Sequence, residues 1–174
     1  MGGMHAHVIL AAGQGTRMRS RLPKVLHPLL GKPMLLYALE AALALKPERL
    51  VVVVGHGGEK VVEALEGYPV EVAWQKEQLG TAHALLQAEG LLRDFPGPFL
   101  VTQGDTPLLS PRTLEALLRR VREGAGMALL TAELPDPTGY GRILREGEEV
   151  LGNVEEKDAP PEVRAIREVN AGAY

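Results

Sequence analysis

Short apolar runs alternate with stretches of helical periodicity along the chain up to about residue 132. The apolar runs are rich in β-branched residues and are closed by glycine, proline or polar residues, which is typical of buried strands. Strands are predicted at His7–Leu10, Leu50–Val54, Val70–Trp74, Pro98–Thr102 and Met127–Ala132. Helices are predicted at Pro33–Leu45, Glu59–Leu65, Thr81–Leu92 and from a serine cap at Ser110-Pro111 onward. This alternation predicts an α/β fold in which a mostly parallel sheet carries helices on both faces.

The pattern changes after about residue 133. Prolines and glycines mark a loop, and Tyr140–Leu144 and Val150–Glu155 then form a predicted hairpin with Gly147 in its turn. We expect a small β-hairpin excursion from the main sheet, so that residues 1–174 form a single domain. The apolar alternation of Ile166–Tyr174 predicts a last strand that runs to the final residue. This domain is therefore expected to be incomplete at its C-terminus and to be the front part of a longer protein.

Composition narrows the class of protein. The 174 residues include no cysteine, which excludes disulfides, zinc fingers and thiol catalysis and fits a reducing compartment. The 19 basic and 22 acidic side chains give a net charge of −3, so there is no electrostatic reason to expect nucleic acid as a partner. No signal peptide or membrane-spanning run is evident, and we expect a cytoplasmic protein without a membrane partner.

A glycine-containing loop follows the first predicted strand. The stretch Leu10-Ala11-Ala12-Gly13-Gln14-Gly15-Thr16-Arg17-Met18 brings small residues to the carboxyl edge of the sheet. Ligands bind at that edge in α/β folds, and successive backbone N–H groups can surround phosphate oxygens there. Met18 breaks the dinucleotide fingerprint, and the Lys-Ser/Thr pair of a P-loop is missing. Arg17 and Lys24 add two cations, which suit a triphosphate and a reaction that releases pyrophosphate.

Two further blocks carry polar residues at strand ends. Gln75–His83 follows a predicted strand, and the amide of Gln75 can match the N3–H and O4 edge of uracil, although a flipped amide would accept cytosine. For His83, packing at the start of a helix is the alternative to a ligand contact. Gln103-Gly104-Asp105 ends another strand, where a carboxylate can hold Mg²⁺ together with phosphate oxygens and water. A turn or helix cap is the common alternative for such an aspartate.

These blocks resemble the nucleotide signature of sugar-1-phosphate nucleotidyltransferases, L-A-A-G-x-G-T-R-M followed by L-P-K-V-L. The run Ser20–Leu29 is most similar to the bacterial bifunctional uridylyltransferase/acetyltransferases that make UDP-N-acetylglucosamine. The similarity covers the whole chain but only the front of that family. It implies a Rossmann-like fold of the nucleotide-diphospho-sugar transferase type. It also implies transfer of uridylyl from UTP to N-acetylglucosamine-1-phosphate, with Mg²⁺ as cofactor, for peptidoglycan and lipopolysaccharide synthesis.

The resemblance also implies roles for individual residues. The implied catalytic residues are Arg17, Lys24 and Asp105, of which Asp105 is the implied Mg²⁺ ligand. The implied substrate contacts are Leu10, Ala11, Ala12, Gly13, Gly15, Thr16, Gln75, Gln78, Gly80, Thr81, Gln103, Gly104, Gly141, Glu155 and Asn170. Gln103 is expected to act through its backbone only. Gly141, Glu155 and Asn170 are expected to contact the sugar, since carboxylate and amide groups suit hydroxyl and N-acetyl groups.

Some features of that family lie outside this sequence. Its second metal ligand, an asparagine, and its left-handed β-helix for acetyl transfer correspond to segments beyond residue 174. Because the β-helix largely carries trimerisation, a homo-oligomer is expected only of a full-length form. Two alternative functions stay open at this point: another sugar-1-phosphate nucleotidyltransferase of the same fold, and a non-catalytic nucleotide-sugar-binding regulatory domain.

Overall fold

The computed structural model describes residues 4–13 and 21–174, which form two compact units, one ending at Gly126 and the other beginning at Met127. The strands of the first unit are β1 (Ala6–Ala11), β2 (Pro28–Leu29), β3 (Lys32–Pro33), β4 (Arg49–Val54), β5 (Glu71–Trp74) and β6 (Phe99–Gln103). Its helices are α1 (Met34–Ala44), α2 (Glu59–Ala64), α3 (Thr81–Leu86), α4 (Glu89–Leu92) and α5 (Pro111–Arg122), with a short 3-10 helix at Lys24–Leu26.

A parallel four-stranded sheet forms the centre of the first unit, with the strand order β5-β4-β1-β6. The chain runs from β1 to β4 and β5 on one side and returns to β6 on the other side of β1. The strand order therefore reverses between β1 and β6. In open α/β sheets, ligands bind in the crevice beyond the carboxyl ends of the strands at such a switch point. The predicted parallel sheet with helices is confirmed.

Both faces of this sheet are buried. On one face, Ile9 and Val52 belong to a cluster with Leu35 of α1 and Val61 of α2. On the opposite face, Val51 is also fully buried. Each fully buried side chain of this size contributes roughly 1.5–3 kcal/mol to the free energy of folding. Burial on both faces explains why these strands appear in the sequence as continuous apolar runs rather than as alternating ones.

The predicted helix Thr81–Leu92 is interrupted in the structure. The backbone amides of Gln87 and Ala88 donate to the carbonyls three residues earlier, Ala84 and Leu85, instead of four. This tightened turn ends α3 at Leu86, and α4 begins only at Glu89. Ala88, which lies between the two helices, is fully buried. Helical periodicity is continuous through this turn, so the sequence does not reveal it.

Helix α5 is the longest helix of the described residues. The hydroxyl of Ser110 accepts a hydrogen bond from the backbone N–H of Thr113 at 3.2 Å, and Pro111 occupies the first turn, as predicted. With 12 residues, α5 is far shorter than the roughly 20 residues that a membrane span needs. No helix in the described part of the chain is long and apolar enough to cross a bilayer.

The second unit contains strands β7 (Thr131–Glu133), β8 (Arg142–Glu146), β9 (Glu149–Val154) and β10 (Glu168–Asn170), helix α6 (Pro161–Arg164) and a 3-10 helix at Glu156–Asp158. These strands form an antiparallel sheet in the order β7-β10-β8-β9. The predicted hairpin corresponds to β8 and β9, with Gly147 at φ 61° in its turn.

Two local predictions in this region are wrong. The strand predicted at Met127–Ala132 is confined to Thr131–Glu133, and it pairs with β10 instead of joining the parallel sheet. The change of architecture thus begins at Met127 and not after residue 133. The alternation of Ile166–Tyr174 forms a strand only at Glu168–Asn170, because Gly172 adopts φ 80° and turns the chain.

Candidate functional site

The ends of β1 and β6 approach each other closely at the switch point. The backbone N–H of Gly104 donates to the carbonyl of Leu10 at 2.9 Å. A Cβ atom on Gly104 would lie 3.0 Å from Val25 Cγ1 and 3.2 Å from Leu35 Cδ1, so a side chain here would push neighbouring elements apart. Leu10 and Ala11 are themselves buried. Their side chains are therefore not available to a ligand, and the Leu10 carbonyl already accepts from Gly104.

The structure brings the two described catalytic candidates into direct contact. Lys24 is the first residue of the 3-10 helix Lys24–Leu26, and Asp105 follows β6. The Lys24 Nζ atom lies 2.7 Å from Asp105 Oδ2, and the two side chains are 43% and 29% exposed. A partly exposed ion pair of this kind contributes little to stability. What it does supply is one cation and one carboxylate at the sheet edge where α/β folds bind ligands.

The remaining candidates of the phosphate site are only partly described. Gly15, Thr16 and Arg17 lie in residues 14–20, outside the described residues, and their roles stay predictions. Gly13 is exposed, and a Cβ there would have nothing within 4 Å. The carbonyl of Gln103 accepts the hydroxyl of Thr106 at 2.9 Å, which closes the turn that carries Asp105.

The segment after β5 is organised around a buried glutamine. The Gln75 side chain is buried, and its backbone N–H donates to the carbonyl of Val54 at 2.7 Å. Its Nε2 atom donates to the carbonyl of Gly80 at 3.2 Å and contacts His83 Nδ1 at 2.9 Å. Gly80 adopts φ 100°, a backbone conformation that favours glycine, and exposed Thr81 begins α3 directly after it. Gln75 thus contacts two other residues of the Gln75–His83 block, Gly80 and His83.

Gly55 lies between two of the candidate segments, which the sequence does not reveal. It follows β4, and a Cβ on it would lie 2.6 Å from the Ala12 carbonyl oxygen and 2.6 Å from Gln78 Nε2. The missing side chain therefore allows the loop after β1 to approach the segment after β5. The only signal in the sequence is a glycine closing the β-branched run Leu50–Val54. Glycine is common in that position, so the signal does not distinguish a site from an ordinary turn.

Within the second unit, the structure brings the three sugar-contact candidates together. The backbone N–H of Asn170 donates to the carbonyl of Gly141 at 3.0 Å. The amide of Asn153 packs over Gly141, with Nδ2 2.9 Å from the position that a Cβ would take, and donates to Glu155 Oε1 at 3.1 Å. The side chain of Asn170 also accepts the N–H of Gly172 at 2.8 Å, a turn-forming contact.

A buried arginine gives the two adjacent glutamates of this unit different environments. Arg142 is 2% exposed and donates to Glu156 Oε2 at 2.7 Å and to the carbonyl of Arg164 at 3.2 Å. The hydrogen bond from Arg142 and a second one from the backbone N–H of Gly139 lower the pKa of Glu156. Glu156 thus ties the 139–142 loop in place, while the carboxylate of Glu155 stays exposed. Arg142 has no local sequence signal, since a charged residue in a hairpin is normally solvated.

Comparison with known families and proteins finds close similarity along the whole chain. The family model described as MobA-like NTP transferase domain matches residues 7–160. The chain is 55% identical over 170 residues to the bifunctional protein GlmU of Syntrophotalea carbinolica, covering 97% of this chain and 37% of that protein. It is 54% identical over 171 residues to the bifunctional protein GlmU of Pelotomaculum thermopropionicum, again covering 97% and 37%. The chain therefore spans little more than a third of the length of these curated relatives.

A solved structure shares the fold at low sequence identity. It is described as a glucose-1-phosphate thymidylyltransferase from Bacillus anthracis, in complex with a sucrose. It matches with a TM-score of 0.79 at 18% identity, covering 97% of this chain and 70% of that one. At this identity the likeness shows a common fold and nothing more specific.

Proposed function

Because the chain belongs to the MobA-like NTP transferase domain family, we propose that it transfers uridylyl from UTP to N-acetylglucosamine-1-phosphate. The products are UDP-N-acetylglucosamine and pyrophosphate. The observation that carries this proposal is the 2.7 Å contact between Lys24 Nζ and Asp105 Oδ2, at the switch point of the sheet. The 54–55% identity to proteins named bifunctional protein GlmU supports the choice of substrates.

The proposed chemistry is an in-line displacement at phosphorus. An oxygen of the sugar phosphate forms a bond to the α-phosphorus of UTP, and the bond from that phosphorus to the bridging oxygen breaks. Pyrophosphate leaves with the electron pair. Since the attacking phosphate is already an anion, no general base is needed, and the protein contributes alignment and charge stabilisation. Lys24 would neutralise charge on the α- and β-phosphates, and Arg17 would supply the second cation.

Asp105 fits the role of a protein ligand to Mg²⁺. Its carboxylate already lies against a cation, the ammonium group of Lys24, so the local structure can hold positive charge there. Mg²⁺ commonly takes one or two carboxylates and completes its shell with phosphate oxygens and water, so one aspartate is a sufficient contribution from this unit. When bound, Mg²⁺ would offset the negative charge of the nucleotide phosphates.

Substrate recognition is proposed for two groups of residues. The uridine nucleotide would contact Gln75, Gln78 and the backbone of Leu10, Ala11, Ala12, Gly13, Gly15, Thr16, Gly80, Thr81, Gln103 and Gly104. The sugar would contact Gly141, Glu155 and Asn170. For the sugar group, the exposed carboxylate favours Glu155 over its neighbour Glu156, which is engaged by Arg142. Carboxylate and amide groups match the hydroxyl and N-acetyl groups of such a sugar.

Nucleotide binding and turnover test the proposal together. Calorimetry with UTP, CTP, GTP and ATP, each with Mg²⁺, is expected to show the tightest binding for UTP. In a full-length form that includes the implied second metal ligand, pyrophosphate release with N-acetylglucosamine-1-phosphate is expected to fall by about 10²–10³-fold in Lys24→Ala, the scale for losing one preorganised electrostatic donor. The control is Lys60→Ala, which removes an exposed lysine on α2.

Three results would count against parts of this proposal. Turnover of Lys24→Ala within twofold of the unchanged chain would reject the role of Lys24. Tighter binding of another nucleotide would favour a related sugar-1-phosphate nucleotidyltransferase. Binding of UDP-N-acetylglucosamine without any Mg²⁺-dependent turnover, in a full-length form that includes the implied second metal ligand, would favour a nucleotide-sugar sensor.

A further inference from the structure

The orientation of the Gln75 amide is determined by its neighbours. Its Nε2 atom lies 3.2 Å from the carbonyl oxygen of Gly80, and the whole side chain is only 2% exposed. A carbonyl oxygen can only accept a hydrogen bond, so the amide group facing Gly80 must be the NH₂ and not the oxygen. A flipped amide would instead place two oxygens against each other in a buried position, where such a contact is costly.

His83 accepts a hydrogen bond from the second hydrogen of the same NH₂ group. Its Nδ1 atom lies 2.9 Å from Gln75 Nε2, so Nδ1 must present a lone pair and the ring proton must lie on Nε2. The Gln87 amide nitrogen donates at 2.9 Å to the backbone carbonyl of His83 and also lies 3.4 Å from ring Nε2. That approach is at the outer limit of a hydrogen bond, so the closer contact at Nδ1 decides which ring nitrogen carries the proton. The histidine is thus both packed at the start of α3 and part of the Gln75 contact.

We propose that His83 is a positioning residue that makes Gln75 select uracil over cytosine, an inference that rests on the proposed uridylyl transfer. With both Nε2 hydrogens engaged, the remaining hydrogen-bonding capacity of the amide is that of its acceptor, Oε1. Uracil carries a hydrogen on N3 and can donate to Oε1. Cytosine carries a lone pair on N3 and would repel it. His83 and the Gly80 carbonyl therefore resolve the ambiguity that a freely flipping glutamine would leave.

Two substitutions at position 83 separate acceptor chemistry from packing. His83→Asn places an amide oxygen close to where Nδ1 lies, so it can still accept from Gln75. His83→Leu has a similar volume but offers no acceptor, which leaves one hydrogen of Gln75 unpaired and removes one of the two restraints on its orientation. Leu86→Ala changes an exposed residue of α3 and controls for general effects on the helix.

The measurement is the ratio of the dissociation constants for CTP and UTP, by calorimetry on the whole chain. We expect His83→Leu to lower this ratio by about five- to tenfold, the worth of one neutral hydrogen bond, mainly through weaker UTP binding. His83→Asn and Leu86→Ala should keep the ratio of the unchanged chain. An unchanged ratio in His83→Leu, or parallel weakening of both nucleotides, would overturn the inference and leave the proposed function intact. No preference for UTP in the unchanged chain would overturn both.

A second measurement does not depend on any variant. Nitrogen-15 NMR of the unchanged chain reports which ring nitrogen of His83 carries the proton. The inference requires an unprotonated Nδ1 and a protonated Nε2. A proton on Nδ1 would show that Gln75 does not donate to His83, and the proposed restraint would be wrong.

Discussion

Mild acid is expected to destabilise the first unit through a histidine in its core. His7 is fully buried on β1, and its Nε2 atom lies 2.8 Å from the hydroxyl of Thr102 on β6. Burial, with a smaller contribution from nearby His5, lowers the pKa of His7 from 6.5 to about 3. The folded protein therefore keeps this ring neutral at pH values at which the unfolded chain protonates it.

The size of the effect follows from the two pKa values of His7. Above pH 6.5 neither state binds the proton, and the stability contribution is fully present. As the pH falls from 6.5 towards 3, only the unfolded state takes up the proton, so stability is lost throughout this interval. Between pH 7 and pH 5 the loss is about 2 kcal/mol, and over the whole interval it approaches roughly 5 kcal/mol.

Urea unfolding at pH 7, 6 and 5 measures this loss, followed by the fluorescence of Trp74, the only tryptophan of the chain. His7→Gln keeps an amide near the Thr102 hydroxyl but does not titrate, so it should lose about 2 kcal/mol less than the unchanged chain over this range. His56→Gln removes an exposed histidine and should behave like the unchanged chain. If His7→Gln loses as much stability as the unchanged chain, the core histidine is not the cause and the reasoning fails.

Two other substitutions test the close approaches and turns of the first unit. Gly55→Ala is expected to weaken UTP binding by about tenfold, because its Cβ would lie 2.6 Å from the Ala12 carbonyl oxygen. Gly90→Ala, in open space on α4, is the control, and equal weakening in both variants would contradict this account. Leu30→Asn is expected to raise the free energy of unfolding by about 0.5–1 kcal/mol, since Leu30 is 94% exposed at φ 52° and asparagine tolerates that conformation better. A lower free energy of unfolding for Leu30→Asn would contradict the turn argument.

The central sheet could be predicted because its signal is local. The run Leu50–Val54 is apolar at every position, and both faces of β4 are buried, as a strand inside a parallel sheet requires. The strand pairing of the Met127–Ala132 segment, in contrast, is not determined by its local sequence. The backbone of Leu130 pairs with Ala171 and Ala173, so its place in an antiparallel sheet depends on a segment far along the chain. An apolar run by itself does not specify which strand it will pair with.

The candidate site also contains some residues that the sequence identifies and others that only the folded structure reveals. The family resemblance identifies Lys24 and Asp105, and the structure brings them to 2.7 Å of each other. The resemblance is confirmed by the family match over residues 7–160 and by the curated relatives. The roles of Gly55 and Arg142 could not be predicted, because each depends on atoms that only the folded chain brings near. A glycine is informative only once its neighbours are known, and a buried arginine only once its carboxylate is known.

The adjacent residues Glu155 and Glu156 show why residue type alone does not assign a role. The two side chains are chemically identical, yet Glu156 accepts hydrogen bonds from Arg142 and from the N–H of Gly139. Both bonds lower the pKa of Glu156 and keep it ionised, and both would be lost if it turned towards a ligand. Breaking them would leave the guanidinium of Arg142 buried without its carboxylate, which is strongly unfavourable. Glu156 is therefore needed to stabilise the fold. The proposed sugar contact is assigned to Glu155, because its exposed carboxylate accepts a hydrogen bond from the amide of Asn153 and not from a buried arginine.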